Sequence, residues 1–349
     1  MKRKILYICG SLNQTTMMHQ ISQELPEYDN YFTPYYADGF INILQKNGLL
    51  DFTILGGKFR ENTEHYLKEH NLAIDYEGSL NDYDLVFTCS DLIVPKNIRN
   101  KRLILVQEGM TDPPSILNNI VKTFKLPRWI AGTSTNGQSD AYDVFCVASE
   151  GYRDFFINNG IDSEKIRVTG IPNYDNAIQY CNNDFPYRNF VLVATSDTRE
   201  TFKYDHRKKF IEEAVKIAND RHIIFKLHPN EKFKRAEREI QKFAPKGTLV
   251  LQNGNINEMI ANCDVLITQY STVVYTGIAL NKEVYSYFNL DMLKQLSPLQ
   301  NNGTSKRNIA NIARELMSYE KRYNITFKNN IFRQMLENYY VRLARRRLA

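Results

Sequence analysis

Short apolar runs alternate with polar loops and amphipathic stretches along most of the chain. In the first half the apolar runs are Lys4–Cys9, Phe52–Leu55, Leu85–Cys89, Leu103–Val106 and Val144–Ala148, and Thr16–Leu25 has helical spacing. A second series runs through Phe190–Ala194, Ile223–Leu227, Thr248–Leu251, Val265–Thr268 and Val284–Tyr287. Helical segments at Lys208–Ala218, Lys232–Phe243, Ile256–Asn262 and Val273–Leu280 fall between those runs. Apolar strands separated by helices predict parallel sheets covered on both faces. Two such series predict an α/β protein with two doubly wound, Rossmann-like domains facing a cleft. A length of 349 residues fits two domains with cores of their own. The polar stretch Ala177–Tyr187 is the expected linker. The predicted units are therefore 1–180, 181–325 and a basic amphipathic helix over 326–349.

Charge changes this picture only at the end of the chain. From Lys328 onward there are six cations (Lys328, Arg333, Arg342, Arg345, Arg346 and Arg347) and one acid, Glu337, a net +5 of the chain's +6. The remainder is nearly neutral, which argues against a nucleic-acid-coating surface. Within the tail Phe332, Leu336, Tyr339 and Leu343 recur at helical spacing. Such a helix docks on the body or lies on an anionic membrane surface.

No apolar run is long enough to span a membrane as a helix. The N-terminal run Ile5–Gly10 is too short for a signal peptide, so the expected location is cytoplasmic, peripheral on the inner face of the membrane if the tail binds lipid. Five scattered cysteines without a CxxC pair read as core packing, not as a zinc site or a disulfide framework.

In doubly wound sheets ligands bind beyond the carboxyl ends of the strands, so the loops there carry the candidate chemistry. The strand ending in Lys226-Leu227-His228-Pro229 delivers a cation and an imidazole to that edge, a pair suited to a diphosphate or a sugar hydroxyl. Gln269-Tyr270-Ser271-Thr272 follows another strand and precedes a helix, where hydroxyls and free N–H groups suit a phosphate. Thr195 and Arg199 lie in a third such loop, and the Arg199 fork can grip a phosphate in bidentate fashion. In the first half Glu108 follows the strand Leu103–Val106 and precedes Gly109; a carboxylate there can serve as a general base, with Asp112 as its competitor. Ser11 and Asn13, after the first strand, face the same cleft, and His19 follows on the helix. No GxGxxG fingerprint and no strand-end Asp-x-Asp is present, so neither a dinucleotide cofactor nor a divalent metal is expected.

Taken together, these loops resemble a GT-B-type transferase using a nucleotide-activated donor. Lys226-Leu227-His228-Pro229, the run Cys263–Val273 and Val168-Thr169-Gly170-Ile171-Pro172-Asn173-Tyr174-Asp175 resemble the CDP-glycerol glycerophosphotransferase-like and capsule-polysaccharide transferase families over about residues 144–290. The resemblance implies donor binding by the C-terminal domain and acceptor binding by the N-terminal domain. It also implies phosphate contacts from Arg199, Ser271 and Thr272, with Lys226 and His228 nearby. Those glycerophosphotransferases carry Trp-His-Gly where this chain has Gln107-Glu108-Gly109, and an acid where it has Gln269. Glu108 is therefore the expected base, and a sugar donor stands beside a CDP-polyol.

The expected reaction is metal-independent transfer to a saccharide or lipid-linked acceptor in cell-surface polysaccharide assembly, with no nucleic-acid partner. Two alternatives remain. Gln107-Glu108-Gly109 is also similar to the Glu-Ala-Gly stretch of the non-hydrolysing UDP-N-acetylglucosamine 2-epimerases. Two facing sheets can also form a non-catalytic binding or assembly module.

Overall fold

The computed structural model describes residues 2–51, 53–110, 136–139, 141–196, 198–199 and 205–318. Its first sheet has six parallel strands: β1 Lys4–Cys9, β2 Asp29–Pro34, β3 Leu85–Thr88, β4 Arg102–Val106, β5 Val144–Val147 and β6 Ile166–Val168. Their order is β2-β1-β3-β4-β5-β6. The second sheet comprises β7 Val191–Ala194, β8 Ile223–Lys226, β9 Leu249–Leu251, β10 Val265–Thr268 and β11 Glu283–Tyr285, in the order β11-β10-β7-β8-β9. All strand pairs are parallel. The architecture is GT-B: two doubly wound sheets, each with a point where strand order reverses. The reversals fall between β1 and β3 and between β7 and β10, the places where such sheets open a crevice for ligands.

The helices are α1 Leu12–Gln23, α2 Gly39–Lys46, α3 Gly57–Glu69, α4 Glu150–Asn158, α5 Arg207–Ala218, α6 Phe233–Phe243, α7 Ile256–Asn262, α8 Val274–Ala279, α9 Leu290–Leu296 and α10 Ser305–Ser318. Central strands such as β3 and β7 are buried throughout, as continuous apolar runs require.

Two edge strands, β2 and β6, arise where no strand was expected. The stretch Phe52–Leu55, expected as a strand, does not form one: Thr53–Leu55 lies in the turns leading into α3, and Thr53 Oγ1 donates to Leu50 O at 2.7 Å. The expected linker holds a tight helical turn over Ala177–Cys181. The Asn183 and Asn262 side chains hydrogen-bond each other, at 2.8 and 3.1 Å, and so tie the linker to the second unit.

The last described helix returns to the first unit, although its residues fall in the expected span 181–325. Leu293, Leu296, Ile309, Ala310, Ala313 and Met317 join the core of the first sheet. Arg3 and Arg102 donate to the Met317 and Leu316 carbonyls at 2.7 and 2.8 Å, placing two cations at the C-terminal end of α10. Asp175 accepts the Ser305 N–H at 2.8 Å at its other end. Gly170 adopts φ +72°, and a Cβ there would lie 2.2 Å from Ser305 Oγ, so this docking requires glycine. The expected tail helix 326–349 lies outside the described residues, as does Asp112. Among the described residues no helix is long and apolar enough to cross a membrane. Of the cysteines, Cys181 is exposed and the other four are buried.

Candidate active site

Glu108 leaves the end of β4 half-buried, with its carboxylate aimed at the loop after β1. Ser11 Oγ donates to Oε1 at 2.8 Å, Asn13 Nδ2 to the same oxygen at 3.5 Å, and Gln14 Nε2 to Oε2 at 2.5 Å. All three donors are neutral, so among the described residues the carboxylate is oriented by hydrogen bonds rather than by a cation. The cradle depends on Gly10, because a Cβ there would lie 2.2 Å from Gln14 Oε1. Ser11 also accepts the Gln14 N–H at 3.2 Å and so caps α1. The sequence put Ser11 and Asn13 on the acceptor side of the cleft and did not single out Gln14; their contact with Glu108 is seen only in the structure.

The two sheets meet at this point. A Cβ on Gly109 would lie 3.6 Å from Thr272 Cγ2 and 3.5 Å from Tyr174 Oη, in ordinary contact with both. Burial pushes the Tyr174 hydroxyl up to about 12; a hydrogen bond with Thr272 opposes that rise and the charge of Glu108 adds to it. Asn173 Nδ2 reaches across to Asn13 Oδ1 at 2.6 Å. The Val168–Asp175 segment thus joins the Glu108 cradle, Thr272 and α10. Beside it a polar cleft of about 430 Å³ opens between the two units, lined by Asn13, Asn173, Tyr174, Gln179, Tyr180 and Asn257 among others.

On the second sheet the expected residues sort into two groups. Ser271 and Thr272 stay half-exposed after β10. The helix expected from Val273 begins at Val274 and is one short turn and a half long, with Ser271 Oγ accepting the Val273 N–H at 3.4 Å. His228 is half-buried after β8, and its Nδ1 accepts the Asn230 N–H at 3.2 Å, which leaves Nε2 to carry the proton of the neutral ring.

The cations, in contrast, are engaged. Lys226 Nζ donates to the Leu227 and Gln252 carbonyls at 3.0 and 2.8 Å, and desolvation holds its pKa below the usual lysine value. The Arg199 fork grips Glu239 at 2.9 and 2.5 Å, and its Nε lies 3.2 Å from Asp205. That fork holds the Glu239 carboxyl below its ordinary range. Buried Arg207 bridges Asp205, at 3.1 Å, and Glu231. Thr195 also donates to Glu231, and Gln269 Nε2 donates to Asp205 at 3.0 Å. The ends of β7, β8 and β10 are therefore locked by one ion network. Asp205, Arg207, Glu231 and Glu239 were not singled out in the sequence, though Glu231 follows His228 by three residues and Arg207 immediately precedes the predicted helix Lys208–Ala218. His19 lies away from the cleft contacts just described: its Nδ1 is 3.0 Å from Tyr66 Oη and its ring packs on His70. Among the described residues no group of three or more His, Cys, Asp or Glu side chains is arranged to hold a metal.

The fold and the strand-edge site define a GT-B-type protein. Residues 126–292, just under half of the chain, match the family of CDP-Glycerol:Poly(glycerophosphate) glycerophosphotransferases, which the chain resembles. No curated protein sequence matches the chain. Among solved structures, the Staphylococcus aureus MnaA complex with UDP is similar at TM-score 0.58 and 13% identity, covering 91% of this chain and 97% of that one. The Neisseria meningitidis UDP-GlcNAc 2-epimerase bound to UDP-GlcNAc gives 0.54 and 10%, covering 89% and 100%. The wall teichoic acid polymerase TagF with CDPG gives 0.50 and 13%, covering 91% and 90%. At these identities the likeness is one of fold.

Proposed function

We propose that the chain is a transferase that moves a sugar or a polyol phosphate from a nucleotide-activated donor to an acceptor hydroxyl, in the assembly of a bacterial cell-surface polymer. One observation carries this reading. The oriented Glu108 carboxylate, with Gly109, meets Thr272 across the junction of the two sheets. An acceptor hydroxyl at Glu108 and a donor phosphate at Ser271 and Thr272 then lie on facing strand edges. The family match and the TagF and MnaA neighbours, one described with CDPG and the other with UDP, support a nucleotide donor.

In this reading Glu108 takes the proton of the acceptor hydroxyl as its oxygen attacks. With a sugar donor the attack is on the anomeric carbon, and the bond to the nucleoside diphosphate breaks. With a CDP-polyol it is on the polyol-bearing phosphorus, and CMP leaves. Hydroxyls of Ser271 and Thr272 and the Nε2–H of His228 stabilise the charge that develops on the leaving phosphate. Arg199 and Lys226 act one step back: they hold the loops that present those groups. Metal independence and a saccharide or lipid-linked acceptor belong to the same proposal, as does a contact of 328–349 with an anionic membrane.

A thermal-shift series with CDP-glycerol, CMP, UDP, UDP-GlcNAc and GDP tests the donor. A ligand that binds only the folded state stabilises it by about 2.7 kcal/mol at one hundred times its Kd. Selective stabilisation by CDP-glycerol or a UDP-sugar is expected, and a folded protein that responds to none contradicts the proposal. An epimerase-like enzyme is the second reading, favoured by a glutamate at 108 where the glycerophosphotransferases carry histidine. It requires UDP-GlcNAc to be converted with no acceptor present.

A further inference from the structure

β4 is apolar from Leu103 to Val106, and the next residue, Gln107, is polar yet only 2% exposed. Burying an amide is costly unless both of its ends are bonded, so its partners show what it does there. The ladder between β4 and β5 closes with the pair Val106 and Cys146 and with the Gln107 N–H on the Cys146 carbonyl at 2.9 Å. Beyond that point the two chains part. Ala148 leads into the Ser149 cap of α4, and Gly109 turns toward Thr272 of the second unit. The Gln107 side chain bridges the gap: its Oε1 accepts the Ala148 N–H at 2.9 Å, and its Nε2 donates to the Gly109 carbonyl at 2.7 Å. These partners fix the orientation of the amide, because an N–H can only donate and a carbonyl can only accept.

Glu108 is the residue enclosed by this clamp. Its carboxylate is held by Ser11, Asn13 and Gln14, and its backbone is held by Gln107. Gly109, whose carbonyl the amide grips, is the residue that meets Tyr174 and Thr272. On the other side the Ala148 carbonyl accepts the Leu299 N–H at 2.9 Å, and Ser149 Oγ donates to the Leu296 carbonyl at 3.1 Å. The clamp is thus anchored on the stretch of chain that returns from the second unit. One side chain sets both where the carboxylate sits and how it stands to the facing strand edge.

We propose that Gln107 is the positioning residue of Glu108: its amide closes the turn over Gly109 and aims the carboxylate without adding a charge. The inference rests on the transferase reading. The clamp asks one donor and one acceptor of a single side chain. Methionine offers neither, an ionised glutamate has no hydrogen to give the Gly109 carbonyl, and a protonated glutamate offers both.

Gln107→Met and Gln107→Glu test the proposal by two readouts. The first is turnover across pH with the donor found by thermal shift. The second is the carbon-13 resonance of the Glu108 carboxyl in glutamate-labelled protein, assigned by its loss in Glu108→Gln. Gln107→Met is expected to lower kcat by about 10- to 100-fold, the cost of a misplaced group, with donor Kd nearly unchanged and the Glu108 resonance moved. For Gln107→Glu the ratio of kcat to that of the parent is expected to be near one at low pH, where the new carboxyl is protonated. The ratio then falls as pH rises and that proton leaves. Burial pushes up the nearby thiols of Cys89 and Cys146 and the hydroxyl of Tyr174, the last two to about 12, so none of these produces that fall. An amide needed only for folding would lower the melting temperature and leave the ratio flat. Should Gln107→Met not fold, Gln107→Glu carries the test, since at low pH both of its bonds are restored. A kcat equal to the parent in Gln107→Met, an unmoved Glu108 resonance, or a ratio flat with pH overturns the inference. A moved resonance in a protein that binds no nucleotide overturns the transferase reading alone. Turnover lost in Glu108→Gln but intact in Gln107→Met overturns this inference alone.

Discussion

The two sheets present polar residues at equivalent edges and use them differently. At the first edge a lone carboxylate, Glu108, is held half-buried by the neutral groups of Ser11, Asn13 and Gln14. At the second edge the charged groups face one another: Arg199 with Glu239, and Arg207 with Asp205 and Glu231. A carboxylate oriented by neutral donors is held in one direction without being matched by an opposite charge among the described residues. A charge matched by a buried counter-charge is spent on structure. In the proposed reading the hydroxyls of Ser271 and Thr272 and the ring of His228, rather than the paired cations, meet the donor.

The largest expected effect comes from breaking that matching. Arg207→Met leaves Glu231 buried without its cation and Asp205 with Arg199 alone, and loss of one partner of such a pair costs about 3–5 kcal/mol. Chemical denaturation should show it as a lowered midpoint. A loss under about 1 kcal/mol would mean that the network carries little of the fold.

The next effect concerns donor binding. Ser271→Ala with Thr272→Ala removes hydroxyls proposed to bond a charged phosphate, each such bond being worth about 1.5–3 kcal/mol. Nucleotide affinity should fall at least roughly tenfold, with the melting temperature nearly unchanged. Unaltered affinity would move the phosphate elsewhere.

Ser11→Ala tests the first edge more gently. It removes a cap worth about 1 kcal/mol and one of the three donors to Glu108. Stability should fall by about that amount, while turnover falls and donor affinity holds. Turnover equal to the parent would show that the cradle does not orient the base.

The smallest effect is a difference in acid sensitivity. Burial, with nearby His70, holds His19 below its ordinary 6.5, so the unfolded state binds the proton first. Its contribution is complete above about pH 6.5 and fades as pH falls below that. Glu239 is also depressed, but from 4.5, so its contribution survives to a lower pH. Amide exchange in α1 should therefore quicken between pH 6.5 and 5 while that in α6 does not. His19→Gln should flatten the difference.

Much of the second half was legible because β7, β8 and β10 are buried throughout and read as unbroken apolar runs. β10 and α7 have the expected bounds. The edge strands of the first sheet, β2 and β6, were not legible. β2 lies beside β1 with a single bridge from Phe32 to Ile74 on its other side, opens with the polar Asp29-Asn30 and ends on Pro34, so no apolar run marks it. The expected strand Phe52–Leu55 misled for the opposite reason: Ile54 and Leu55 line a cavity rather than a sheet. Ser11, Asn13 and Glu108, which the structure brings together, could be singled out because each follows a recognisable strand. The engagement of Arg199 and Lys226 was hidden, because their partners Glu239 and the Gln252 carbonyl lie far along the chain. In a sequence, a cation at a strand end looks the same whether a ligand or a carboxylate awaits it.

The measurement closest to the central claim compares Glu108→Gln with the parent protein, using the donor identified by thermal shift. Turnover and donor Kd are measured side by side. A positioned general base contributes about 10²–10⁴-fold, and the isosteric amide keeps the shape of the site while losing its basicity. The account predicts a loss of turnover in that range with donor affinity nearly unchanged. Turnover equal to the parent would contradict it.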